Sequence, residues 1–214
     1  MVLIFRTIFL YIYCRTKQNM MKQFYFLIIG LFFLSGLNAQ IINFLDANFK
    51  AKLLQANPTN LIAKNLSGDY FKIDAIGDGE IEVNEALEVS FLNVSFSDIN
   101  SVDPIDDFVN LKFLSCNNNN ISSINTQNLV NVEYLLCSNN NLVAIDISSL
   151  VNLKYFECNS NQISNLNLNN NTSMTYLACS GNLLTSLDAS ELINLKELYC
   201  QNNSISSLNV LGLS

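Results

Sequence analysis

The sequence predicts an α/β repeat solenoid, with a curved parallel β-sheet, a short irregular convex side and a helical N-terminal cap. Three observations lead there. Cys116, Cys137, Cys158, Cys179 and Cys200 recur every 21 residues. The apolar residues around them keep one register through five copies. Residues 41–88 lack that period and show helical spacing instead. A fixed period of this length marks stacked supersecondary units, none of which can bury its apolar side alone.

Aligned on the cysteines, the first copy holds Leu111, Leu114, Cys116, Asn119, Ile121 and Ile124. The second holds Val132, Leu135, Cys137, Asn140, Leu142 and Ile145. The third, fourth and fifth follow from Leu153, Met174 and Leu195 with the same spacing. A degenerate copy, Val89, Leu92, Val94, Ser97, Ile99 and Val102, stands 22 residues before the first. The pattern L-x-x-L-x-C-x-x-N-x-L resembles the leucine-rich-repeat signature. The phrases LSCNNNNISSIN, YLLCSNNNLVAID, YFECNSNQISNLN and YLACSGNLLTSLD resemble the Cys-containing repeats of secreted, internalin-like proteins of the Bacteroidetes, over residues 89–214. The resemblance implies an exported binding scaffold.

Each position has a physical reason. The middle of the motif is a short strand, so its fourth and sixth positions point inward and its third, fifth and seventh outward. Stacked coils then share a core of Leu, Ile and Cys. The Asn at the ninth position turns the chain, and its amide satisfies backbone groups that leave the sheet. An Asn ladder is expected. The cysteines lack the clustered spacing of zinc ligands. Neighbouring rungs stand about 4.8 Å apart, close enough for disulfides, but five is an odd number and parallel side chains aim poorly at one another. Buried free thiols acting as small hydrophobes are expected.

Composition narrows the function. There is no His, which removes the commonest general base and the usual nucleophile–base pairs. No enzyme is expected. Arg6, Arg15, Lys17 and Lys22 precede residue 40, and every acidic residue follows it. The remainder carries seven basic and eighteen acidic residues, a net charge of −11. Such a body offers phosphate backbones no electrostatic footing, so nucleic acid is not an expected partner.

Residues 21–39, MKQFYFLIIGLFFLSGLNA, read as a signal peptide cleaved between Ala39 and Gln40. The apolar run is shorter than a spanning helix needs, so no membrane span is expected in the mature chain. Residues 1–20 read as a spurious leader from an upstream start codon. The expected location is outside the cell or at its surface.

Residues 40–88 form the cap. Ile42, Phe44, Leu45, Phe49, Leu53 and Leu54 predict a helix over 43–55, ended by Asn57-Pro58 and docked on the solenoid's open end. The stretch from Asp74 to Glu85 resembles an EF-hand or dockerin calcium loop. That resemblance puts Asp74, Asp78 and Glu85 at the first, fifth and twelfth positions, with Gly79 at the sixth. Glu80 would offer its carbonyl to Ca²⁺, and Glu82 would act through water. Ile76 departs from the pattern where Asp or Asn belongs. The other reading is an acidic loop that caps the solenoid without metal.

The outward third position holds Phe113, Tyr134, Tyr155 and Tyr176 in successive coils, and Tyr199 lies two residues later in the fifth. An aromatic stripe along the concave face is expected, suited to a protein or glycan partner. The competing reading is stacking that only stabilises neighbouring rungs. The alternative function is a structural or adhesion spacer of a larger surface protein, stiffened by calcium. The fifth copy breaks off one residue short of its period. Val210, Leu211 and Leu213 then predict either a fragment of a longer protein or self-association through that end.

Overall fold

The structure is a computed structural model and describes residues 40–212. The expected leader and signal peptide lie outside the described residues. Two helices, α1 (Ala47–Leu54) and α2 (Val83–Ala86), belong to the cap. The strands are β1 (Ala63–Asn65), β2 (Val89–Asn93), β3 (Phe113–Ser115), β4 (Tyr134–Leu136), β5 (Tyr155–Glu157), β6 (Tyr176–Ala178), β7 (Ser186–Asp188), β8 (Glu197–Tyr199) and β9 (Ser207–Asn209). The main sheet runs β1-β2-β3-β4-β5-β6-β8. It is parallel from β2 onward, and β1 pairs antiparallel to β2. β7 and β9 form a small parallel pair in the second half of the last two coils. Among the described residues, no helix is long and apolar enough to cross a membrane.

Register follows the period. Leu114 pairs with Leu135, Leu135 with Phe156, and Phe156 with Leu177. These inward residues are fully buried, as are Cys116, Cys137, Cys158 and Cys179. Cys200 is half-buried, and all five are free thiols. One thiol per coil therefore fills the core beside its neighbours as a small apolar group.

The ninth-position asparagines hold the coils together. Each sends its amide nitrogen to the Cys carbonyl of its own coil and to the matching carbonyl of the coil before. Asn161 reaches Cys158 O at 3.1 Å and Cys137 O at 3.0 Å, and its Oδ1 accepts the Leu142 N–H at 3.0 Å. Asn140, Asn182 and Asn203 repeat the arrangement. A second series stands before the strands, where Asn110, Asn131, Asn152 and Asn194 donate to the carbonyls of Leu87, Val109, Val130 and Thr172 at 2.8–3.0 Å. A third follows the strands: Asn117 Oδ1 accepts from Ser138 N–H, and Asn159 Oδ1 from Ser180 N–H. The asparagine content is thus structural, because each turn removes backbone groups from the sheet and an amide replaces the lost partner.

The cap helix is shorter than the periodicity predicts. Ile42 is buried, but through an extended contact in which its N–H donates to Ile81 O at 2.9 Å. Asp46 then stops the extended run and caps α1, its Oδ1 accepting from Asn48 and Phe49 N–H. Leu45, expected on the apolar face, is exposed. Asp46 Oδ2 accepts from Asn100 and Ser101 N–H in the first coil. One buried carboxylate therefore ties the cap to the solenoid. Burial alone would raise its pKa, but these N–H donors hold it below the ordinary carboxylate value. Phe49 and Leu53, fully buried, join the core.

Candidate binding surface

The outward positions of the sheet carry a continuous ribbon of rings. Phe113, Tyr134, Tyr155 and Tyr176 pair in strict register from β3 to β6. Their centroids are 6.0, 6.0 and 4.0 Å apart, the last pair lying parallel within 6°. At the next coil the third position is Glu197, but Tyr199 reaches back to within 5.6 Å of Tyr176. Two further rings extend the predicted stripe. Phe91 stacks on Phe113 at 4.3 Å, and Tyr70 meets the edge of Phe91 at 6.3 Å. Lys64 Nζ lies 4.6 Å from the Tyr70 centroid and 5.4 Å from that of Phe91. Phe91 occupies the third position of the degenerate copy, so the spacing could have found it. Tyr70 comes from an antiparallel excursion that no period announces.

Carboxylates fix the ring tips. Tyr155 donates its hydroxyl to Glu157 at 2.7 Å and Tyr199 to Glu197 at 3.0 Å. Burial, and then Glu157, push the Tyr155 phenol well above its ordinary value. The hydrogen bond to Glu197 raises Tyr199. Lys154 bonds Glu133 at 2.7 Å, which raises the lysine. The surface is thus aromatic and edged with oriented hydroxyls and acids. It offers flat apolar area with polar tips, a combination suited to recognition at low conformational cost.

The acidic loop sits in the cap. Gly77 and Gly79 both take positive φ, 80° and 84°, which lets the chain turn sharply around Asp74. Asp74 accepts from Gly77 N–H at 2.5 Å and Gly79 N–H at 3.2 Å, and Lys72 approaches to 3.6 Å. Asp78 accepts from Glu80 N–H. Glu85 accepts from Ala75 N–H at 2.7 Å and Glu82 N–H at 3.2 Å. Glu80 spends its carboxylate on Lys50, at 2.6 Å. Ile76 points to solvent. Glu82 is buried, and its Oε2 has no hydrogen-bond partner. Its carboxyl is pushed up to about 6, first by a hydrogen bond with Glu85, then by burial and by the charges of Glu85 and Asp78. Among the described residues, no three such side chains converge in a ready metal cage. The loop's carboxylates mostly hold its own backbone.

Residues 172–212 match the family model for leucine rich repeats in two copies. A functional domain of InlJ from Listeria monocytogenes, which includes a cysteine ladder, superposes with a TM-score of 0.65 at 28% identity, over 77% of this chain and 33% of its own. The chain has the fold of a leucine-rich-repeat solenoid. An internalin, inlF, from Listeria monocytogenes shares the fold with a TM-score of 0.58 and 24% identity, over 76% of this chain and 45% of its own. A leucine-rich-repeat protein of Leptospira interrogans gives 0.57 and 25%, over 62% of this chain and 37% of its own. The chain therefore spans between a third and a half of the length of these structures. No curated protein sequence matches it. Leucine-rich-repeat solenoids of this kind are generally binding modules rather than enzymes.

Proposed function

We propose that this leucine-rich-repeat chain is an exported scaffold that holds a protein or glycan ligand against its concave aromatic ribbon. The observation that carries the reading is the unbroken run of seven rings from Tyr70 to Tyr199. Bracing neighbouring rungs would not require the rings to stay accessible to a ligand. Tyr134 and Tyr199 instead leave 41% of their surface in solvent. The test is a binding screen against surface proteins and glycans, run in parallel with the native chain and a Tyr134→Ala/Tyr155→Ala variant. Ligands retained by the native chain and lost by the variant support the reading. Equal retention by both opposes it.

A calcium-stiffened spacer is the second reading, favoured by the buried, unpartnered Oε2 of Glu82 beside Glu85. Asp74, Asp78 and Glu85 would hold the ion, with Glu80 through its carbonyl and Glu82 through water. A bound cation would supply the charge that this cluster of acids lacks. Calorimetry with calcium should show one weak site, abolished by Asp78→Ala and tightened by Ile76→Asn, which restores the missing ligand. No heat from either the parent or Ile76→Asn removes calcium from the account.

A further inference from the structure

Phe96 sits where no other coil places an aromatic ring. Its φ is 54°, in the left-handed region, where a β-carbon crowds the next carbonyl oxygen. The same place in the later coils belongs to Asn118, Asn139, Ser160, Gly181 and Asn202, all at φ between 52° and 65°. Those residues are small or turn-forming, and asparagine and glycine tolerate this backbone best. The first coil alone puts a bulky ring there, and leaves it 78% exposed. Neither packing nor backbone preference accounts for it. A strained residue that contributes nothing to the core is a pointer to binding.

The ring borders an open cleft of about 590 Å³ between the end of α1 and the first two coils. That volume lies in the range of small-ligand sites. Leu61, also exposed, forms a second apolar wall. Several acceptors of the polar lining are already engaged. Asn93 Oδ1 accepts from Ser95 N–H at 3.1 Å, and Asn117 Oδ1 from Ser138 N–H at 2.6 Å. The hydroxyls of Ser95 and Ser115 bond each other at 2.8 Å. Beside the side-chain amide of Gln55, what remains is a set of donors: the amide nitrogens of Asn93 and Asn117 and the ammonium of Lys52. Among the described residues these three make no hydrogen bond or ion pair. Asn93 and Ser115 share the outward face of their strands with Phe91 and Phe113, so the cleft opens beside the ribbon but is built from different side chains.

Two apolar walls, three donors of which one is cationic, and the Gln55 amide, which can meet a sugar hydroxyl, describe a particular ligand. It has a flat apolar face, oxygen acceptors on its edge, and a negative charge. A pyranose ring bearing a carboxylate meets each condition. We propose that this cleft binds an acidic saccharide, with a sugar face against Phe96 and Leu61 and the carboxylate at Lys52, Asn93 and Asn117. The negative charge of the rest of the body does not forbid this, because charges beyond about 8 Å are screened at physiological salt and Lys52 is the one charged residue lining the cleft. The inference does not depend on the ribbon being a binding surface.

The test titrates the protein with tetragalacturonate, with maltotetraose as an uncharged ring control and acetate as a charge control. Tetragalacturonate should saturate one site. Maltotetraose should bind at least ten-fold more weakly, and acetate should not saturate. Phe96→Asn installs the residue the other coils use, so it should weaken tetragalacturonate at least ten-fold while the melting temperature holds or rises. Lys52→Ala should erase the preference for the charged sugar, and Lys196→Ala, which removes an exposed lysine of the fifth coil, should leave the affinity unchanged. No saturation by tetragalacturonate, equal binding of maltotetraose, or undiminished binding by Phe96→Asn would each overturn the proposal. So would a Phe96→Asn chain that melts lower, since the ring would then be structural.

Discussion

At the residue scale, the fold depends on amides placed to replace lost backbone partners. Asn161 satisfies two carbonyls and one N–H across two coils, all of them buried. Asn161→Asp keeps the shape and removes the donor, leaving the carbonyls of Cys137 and Cys158 facing a carboxylate. Urea denaturation should show a loss on the order of 2–4 kcal/mol, because buried polar groups lose their partners. A loss under about 1 kcal/mol would mean that water replaces the amide, since solvent-paired groups carry little penalty. The same place in every full copy of the repeat is Asn, so the 21-residue spacing alone makes this ladder legible. The Phe96 anomaly is legible too, but only once the eighth position is aligned across coils and its left-handed backbone is known. Asp46 is less visible. Nothing local shows that one carboxylate caps a helix and also bonds a coil 54 residues later.

At the element scale, two columns run the length of the sheet, thiols inside and rings outside. Burial pushes the Cys116 thiol up to about 12, and burial with the neighbouring Cys200 does the same to Cys179. The neutral thiol is therefore favoured in the folded state. Its contribution is complete below the unfolded thiol's value, about 8.5, and is lost as pH rises from there through about 12. The melting temperature should fall progressively above about pH 9 for this reason. Tyrosines shift in the same direction, so Cys116→Ala and Cys179→Ala isolate the thiol part by flattening the decline. Cys158→Ser should cost on the order of 1–3 kcal/mol by burying a hydroxyl without an assured partner, and Cys158→Ala a similar amount or less. Thiol titration in denaturant should count all five repeat cysteines as free. The outer column is partly legible in the sequence. Phe113, Tyr134, Tyr155, Tyr176 and Tyr199 follow from strand alternation, whereas Tyr70 and Lys64 arrive through β1, whose antiparallel pairing has no repeat to betray it. The helix boundary is not legible, because Ile42, Phe44 and Leu45 mimic a helical face while lying before the helix that starts at Ala47.

At the scale of the whole molecule, the cap is the part of the solenoid that departs from the 21-residue period. The cap covers the first coil with Phe49 and Leu53. At the last described coil, Leu208 is 45% exposed where its counterpart Leu187 is 2% exposed, and Val210 and Leu211 are exposed beside it. The proposed function rests on the concave side, and repeat surfaces encode ligands through shape, which is why no motif names the partner. The measurement that bears most directly on the central claim is the paired screen of the native chain and the Tyr134→Ala/Tyr155→Ala variant, with melting temperature followed in both. The variant should stay folded and lose at least ten-fold in affinity for every ligand the native chain retains on its concave face. A variant that binds those ligands undiminished, with only its stability lowered, would show that the rings brace the sheet and recognise nothing.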